Sequence, residues 1–254
     1  PVDFGSAMSL GNRFDFDNDV SVGFLTSVRY DQSWDNRFEI RRQYRASDDG
    51  LVLFKDFEVQ RTLRNIELSG FFNLGVEFGD DHSLLATTLY TRLTEDEART
   101  TEGFDGNVTS RFNKLQWTEN ELFGQQLLGK HVFEPLGGLR LDWLYTTADA
   151  TLDEPMTREY RYDDFGDDGS FQFSLAADNN VIRFSELEDN SDSFNLDLGL
   201  PIEIGDNVLM DVTTGGVYLD RDRQSSIRRF KYNATGPDAR NPDVLALPSL
   251  EEIL

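Results

Sequence analysis

The chain has 254 residues, a formal net charge of −23, no cysteine, and 20 Phe, 8 Tyr and 3 Trp. The charge argues against a nucleic-acid partner, because phosphate binding needs a basic surface. Without cysteine there is no disulfide scaffold, thiolate zinc site or cysteine nucleophile, and the aromatic content sets the chain apart from acidic disordered sequences.

The longest unbroken apolar runs, such as Leu51-Val52-Leu53-Phe54, fall far short of the ~18 residues of a transmembrane helix. A transmembrane strand touches lipid only with every second residue, so a polar average composition is compatible with spanning strands. The opening Pro1-Val2-Asp3-Phe4 and the closing Glu251-Glu252-Ile253-Leu254 read as cut ends of something longer.

After a turn at Asp17-Asn18-Asp19, the residues Val20, Val22, Phe24, Val28 and Tyr30 share one face of a predicted strand. The clearest segment is Ile66 to Phe78. Ile66, Leu68, Phe72, Leu74, Val76 and Phe78 alternate with Glu67, Ser69, Asn73 and Glu77, leaving Phe71 on the more polar side. This period of two is a strand signal that a helix cannot produce. Thirteen residues at ~3.3 Å each, tilted by ~45°, cross roughly 30 Å, the thickness of a bilayer core.

A tight turn, Gly79-Asp80-Asp81-His82, leads to a strand with Leu85, Thr87, Leu89, Thr91 and Leu93 on one side. A polar stretch from Thr94 to Asn113 is predicted as a long loop, and a strand between Leu115 and Phe133 shows a phase slip near Leu122–Leu128 that predicts a bulge or a side-switch. Glu134-Pro135-Leu136-Gly137-Gly138 forms the next turn, followed by Leu139, Leu141, Trp143 and Tyr145 on one face. A second long loop is predicted from Asp149 to Ser193, then a strand with Phe194, Leu196, Leu198 and Leu200. After the turn Gly205-Asp206-Asn207 comes a last strand from Val208 to Tyr232. Short turns alternating with long loops are the pattern of porin-like barrels.

The predicted fold is therefore all-β, an antiparallel meander of about eight long strands forming part of a larger transmembrane β-barrel. Ile66, Leu68, Phe72, Leu74, Val76, Leu85, Leu89, Leu139, Leu141, Trp143 and Leu198 are expected on its lipid side. Glu67, Asn73, Glu77, Arg140, Asp142 and Asp197 are expected toward the lumen, because a one-residue slip would put carboxylates in lipid.

Several stretches resemble the barrel of TonB-dependent outer-membrane receptors. They are Asn73-Leu74-Gly75 through Leu89-Tyr90-Thr91-Arg92-Leu93 and Glu95-Asp96-Glu97-Ala98-Arg99; Trp143-Leu144-Tyr145 with Asp153-Glu154-Pro155 and Arg158-Glu159-Tyr160-Arg161-Tyr162; and Gly215-Gly216-Val217-Tyr218 with Arg221-Asp222-Arg223 and Arg228-Arg229-Phe230-Lys231-Tyr232. The resemblance implies a barrel of about 22 strands around a plug. This chain would be a partial barrel over residues 1–254, without the plug domain or the C-terminal closing strand. It also implies the outer membrane as location and import of a scarce small-molecule ligand, such as an iron chelate, vitamin or oligosaccharide. The implied partners are outer-membrane lipid, lipopolysaccharide, the receptor's own plug and, through it, the TonB energy-transducing protein. The competing expectations are a soluble carbohydrate-binding β-sandwich and an enzymatic barrel, the latter without a persuasive nucleophile and base.

No catalytic, cofactor-binding or metal-binding residue is assigned. The densest acidic cluster, Asp163, Asp164, Asp167 and Asp168, lacks the alternate-ligand spacing of a calcium loop and is expected to be solvated. His82 and His131 are expected as turn or lumen residues rather than metal ligands. Asn107-Val108-Thr109 and Asn233-Ala234-Thr235 match a glycosylation pattern by chance. Trp34, Trp117, Trp143 and Tyr145 are candidates for an interfacial aromatic belt, Trp143 and Tyr145 above all. Arg221, Arg223, Arg228 and Arg229 fit either an anionic ligand or pairing with acidic residues of neighbouring loops, and pairing is preferred.

Overall fold

The computed structural model describes residues 2–17, 19–48, 50–106, 108–166, 168–176, 179–204, 208–232, 236–237 and 239–246. The strands are β1 (Phe4–Phe16), β2 (Val20–Ser47), β3 (Gly50–Phe78), β4 (His82–Asp105), β5 (Val108–Phe133), β6 (Leu139–Asp164), β7 (Gln172–Phe173), β8 (Val181–Ile204) and β9 (Val208–Lys231). All belong to one antiparallel sheet in meander order, with the two-residue β7 paired to β6 and no closure between β9 and β1. Helix includes a 3-10 turn at Glu134–Leu136 and the four-residue α1 (Pro242–Leu245).

β2 and β3 run 28 and 29 residues, against about 5–6 for strands in general. The polar stretches expected as long loops are largely strand. β4 continues to Asp105 and β5 begins at Val108, and β6 reaches Asp164 before β8 starts at Val181. The physical reason is that backbone pairing does not need apolar side chains. Cross-strand ion pairs such as Arg111–Glu102 (2.7 Å) and Lys55–Asp105 (2.7 Å) hold the polar hairpin ends. The long connections are thus replaced by long hairpins, and β6 and β8 are joined through a segment that contains β7. The register is regular through Leu122–Leu128, and the bulge lies instead between Gln116 and Glu119. The turn at 205–207 lies outside the described residues.

Directly paired residues of an antiparallel sheet point to the same side. Following the pairs from Phe24 to Leu74, Ala86, Leu127, Tyr145, Phe194 and Tyr218 therefore traces one face through all the long strands after β1. This face carries Ile66, Leu68, Phe72, Leu74, Val76, Leu139, Leu141, Trp143 and Leu198, as expected. The opposite face carries Glu67, Asn73, Glu77, Arg140, Asp142 and Asp197. Leu85 and Leu89 depart from the expectation: they pair with Gly75 and Phe71 and so lie on the polar face, whereas Leu84, Ala86 and Tyr90 take the apolar one. Each face of β4 holds leucines, so side-chain alternation there leaves its orientation open and the pairing with β3 decides it.

The apolar residues of the first face form a belt at the short-turn end, bounded above by a defined edge. Phe4 stands level with Gln32, Tyr30 with Leu68, Tyr90 with Gly70 and Phe123, and Tyr145 with Phe194 and Tyr218. Beyond it the face turns polar at Arg92, Glu121, Asp192 and Asp220. From β1 to β9 the edge descends from the level of Gln32 to that of Phe24, eight residues over seven inter-strand steps. At ~3.3 Å per residue and ~4.8 Å between strands this is a slope of about 38°.

With a single sheet, no interior separates two layers. The one buried apolar cluster among the described residues is Tyr162, Phe173 and Leu245, where β7 and α1 fold over the end of β6.

Candidate functional site

Beyond the belt, on the polar face, lies the most unusual arrangement of charge. Register pairs Arg37 with Arg61, Arg61 with Arg99, and Arg99 with Lys114, so four cations from β2, β3, β4 and β5 stand in one row. The row crosses β3 five residues past Ile66, roughly 17 Å further along the strand at ~3.3 Å per residue. Like charges directly opposite one another across a sheet are destabilising. In a chain with 24 basic residues against 47 acidic ones, such a row stands out.

One carboxylate serves three of the cations. Glu97, on the same face of β4, lies 2.9 Å from Arg61, 3.6 Å from Arg99 and 3.8 Å from Lys114 and is only 9% exposed. Its Oε2 accepts from Arg61 Nε, while its Oε1 has no hydrogen-bond partner. The Arg99 guanidinium therefore sits outside hydrogen-bond reach of the carboxylate. Lys114 donates to Gln116, and Arg37 and Arg41 pair with Asp35 and Glu39. Val59 and Leu63, one step to either side of Arg61 on this face, are buried, as expected where long cationic stems lie over apolar neighbours. The row escapes sequence inspection because its members lie on separate strands; only register aligns them.

The predicted acidic cluster is only partly solvated, with Asp168 exposed. Asp163 and Asp164 are buried; Asp163 accepts from Ser110 at 2.8 Å and pairs with Arg161, and Asp164 accepts from the backbone N–H groups of Gly166 and Gly169 at 3.0 and 2.8 Å. The Ser170 hydroxyl, and then the Ser170 backbone N–H at 2.9 Å, donate to Asp168 and hold its carboxyl below the usual range. These carboxylates tie the loop after β6 and leave few lone pairs for a cation; Asp167 lies outside the described residues. No group of three or more metal-capable side chains occurs among the described residues.

The chain's two histidines, far apart in sequence, meet. They pair across β4 and β5 with Nδ1···Nδ1 at 3.3 Å, and Trp143 Nε1 donates to His131 Nε2 at 3.3 Å. That bond fixes the His131 proton on Nδ1, from where it donates to His82. Both rings lie on the belt face and not in the lumen direction, because their register pairs them with Phe78 and Leu141.

Trp143 and Tyr145 lie within the belt. Trp34 and Trp117 share that face but stand above the edge, Trp34 beneath the Arg64 guanidinium at 5.5 Å and Trp117 donating to Glu119 at 2.8 Å. The carboxy-terminal arginines pair largely as expected, though with the neighbouring strand rather than loops: Arg221 donates to Asp189 at 2.7 Å and Arg228 lies 3.8 Å from Glu186. Arg229 stands opposite Arg183. Asn107 and the segment Asn233-Ala234-Thr235 lie outside the described residues. No family model and no curated protein sequence matches the chain.

Proposed function

We propose that this chain is a wall segment of a bacterial outer-membrane β-barrel and, on the resemblance of its motifs, part of a TonB-dependent receptor that imports a scarce small-molecule ligand. The observation that carries the barrel reading is the sloping apolar belt. A membrane plane cuts every strand of a tilted sheet at the same height, so the lipid-facing stretch must step along the register from strand to strand. The ~38° slope falls within the 35–45° tilt of transmembrane barrel strands. Aromatic residues line its upper edge, where amphipathic rings favour the headgroup level.

Two ion pairs support an inward curve of the polar face. Arg13 on β1 reaches Glu77 on β3 at 2.9 Å across β2, and Arg140 on β6 reaches Asp211 on β9 across β8, passing over Gly199. Side chains two strands apart converge in this way on the concave side of a sheet. A soluble β-sandwich needs a second packed sheet over the apolar face, and the described residues form one sheet. In this reading β1 and β9, exposed along their lengths, pair with further strands of the same barrel, since open edges recruit other chains and unsatisfied amides cost several kcal/mol each in lipid.

Analytical ultracentrifugation of the purified chain tests the proposal. Aggregation without detergent and strand-rich circular dichroism in micelles are expected; a monodisperse monomer without detergent overturns the membrane assignment. For the receptor reading, ligand uptake by cells carrying the full-length protein is expected to collapse when the proton gradient is discharged, and uptake indifferent to the gradient contradicts it.

A further inference from the structure

We infer that the cation row on the polar face is a binding site for a small polyanion, a ligand bearing several carboxylate or phosphate groups. The inference rests on the proposed function in taking this ligand as the imported one and the belt as the level of the lipid.

Beside the row opens a cleft of about 350 Å³ lined by Arg41, Arg99, Phe112, Lys114, Glu159 and Tyr160 among others. Its lining holds three cations and Glu159, which stands directly opposite Lys114; Arg41 is paired with Glu39, and Glu97 lies beside Arg99 and Lys114 without a hydrogen bond to the Arg99 fork. Arg99 is the central group. Its planar fork can accept two oxygens of a carboxylate or phosphate side by side, the geometry in which arginine binds such groups best. In the structure that fork is held 3.6 Å from Glu97 and makes no hydrogen bond among the described residues. Glu97 keeps Arg61, Arg99 and Lys114 together by charge but does not saturate their donors. A second anion entering the cleft would meet Arg99 and Lys114 together, and would relieve the repulsion between cations set directly opposite one another by register. The position is also apt: the row lies beyond the polar edge of the belt and on the face turned away from it, so lipid headgroups do not reach it and a dissolved ligand does.

The test is isothermal titration of the 254-residue chain in detergent micelles at low ionic strength, with citrate as the carboxylate probe, pyrophosphate as the phosphate probe and sucrose as the neutral control. Saturable binding of citrate or pyrophosphate, and none of sucrose, is expected; which anion binds names the ligand's chemistry. Arg99→Gln and Lys114→Gln should each weaken it by about tenfold or more, a difference of ~1.4 kcal/mol. Arg99→Lys should recover only part of the loss, because an ammonium lacks the fork. Glu97→Gln should tighten binding, and Arg13→Gln, at the far turn end, should leave it unchanged, with circular dichroism verifying strand content in every variant. Absence of saturable anion binding, equal binding by Arg99→Gln, or equal binding of sucrose overturns the inference. Ultracentrifugation separates this from the membrane reading: a detergent-free monomer that still binds citrate would sink the barrel and leave the site standing.

Discussion

The phenol of Tyr145 on β6 donates a hydrogen bond to the carboxylate of Asp192 on β8 at 2.8 Å. The ring stays level with Phe194 and Tyr218 in the belt, and the hydroxyl reaches one pair further, to the first charged residue beyond it. Tyr90 does the same toward Glu121 at 3.3 Å and Tyr30 toward Gln32 at 3.4 Å. Three tyrosines on three strands thus point their polar ends the same way, out of the apolar region. An amphipathic ring at a membrane boundary adopts this orientation.

Tyr145→Phe keeps the ring and removes the donor, leaving Asp192 without that bond. In bilayers the variant should unfold at a lower denaturant concentration than the parent, and the double variant Tyr90→Phe/Tyr145→Phe at a lower one still. Equal midpoints for all three proteins would show that the edge bonds anchor nothing.

Arginine scanning separates the two faces. Leu74→Arg puts a charge in the belt and should cost ~2–4 kcal/mol of folding into bilayers, whereas Asn73→Arg should be tolerated. Leu85→Arg is the discriminating case: as an apolar residue on a spanning strand it looks lipid-facing, but its pairing with Gly75 places it with Asn73. Its folding yield should match Asn73→Arg, and a loss like that of Leu74→Arg would contradict the register of β4.

In the proposed membrane reading, what the sequence reveals follows from where water ends. From Ile66 to Phe78 one side must be apolar and the other need not be, so alternation is legible and β3 is placed correctly. On β4, Leu84 and Leu85 put leucine on both faces, and no count along one strand can choose between them. Beyond the belt both faces meet water, the hydrophobic signal vanishes, and a polar strand such as Glu95–Glu102 looks like a loop. Leu122, Phe123, Leu127 and Leu128 mimic a phase slip because each face of β5 takes an apolar residue at both levels. The cation row is a property of register alone: Arg37, Arg61, Arg99 and Lys114 have no relation until four strands are aligned.

A second row, on the belt face but well above the edge, sets Glu119, Asp153 and Glu186 opposite one another. Partial burial, then repulsion from Glu186 and Glu119, holds the Asp153 carboxyl above its ordinary value. A carboxyl raised in this way binds its proton more tightly folded than unfolded. Its contribution is fully present below the unfolded value and is lost as pH rises through the folded one. Asp153→Asn should therefore raise the urea midpoint at pH 7 and change it little at pH 3. A variant equally stabilised at both pH values would place the effect elsewhere than in charge.

Gly129 pairs with Trp143, and a Cβ at Gly129 would come within 2.2 Å of the indole nitrogen. Gly129→Ala should force the indole to rotate and break its bond to His131. A change in Trp143 emission, read in a background with Trp34 and Trp117 replaced by Phe, is expected; an unaltered spectrum would mean that the indole does not lie over the glycine.

The central claim is that the belt face meets lipid. The chain has no cysteine; with any cysteine elsewhere in the full-length protein replaced, single cysteines can be introduced at each position from Asn73 to Val76 and from Leu84 to Thr88 and spin-labelled in bilayers. Collision with oxygen, which concentrates in lipid, is then compared with collision with a water-soluble nickel chelate. The account predicts a period of two, with oxygen favoured at Leu74, Val76, Leu84, Ala86 and Thr88 and the chelate at Asn73, Gly75, Leu85 and Thr87. No alternation, or oxygen favoured at Asn73 and Leu85, would contradict it.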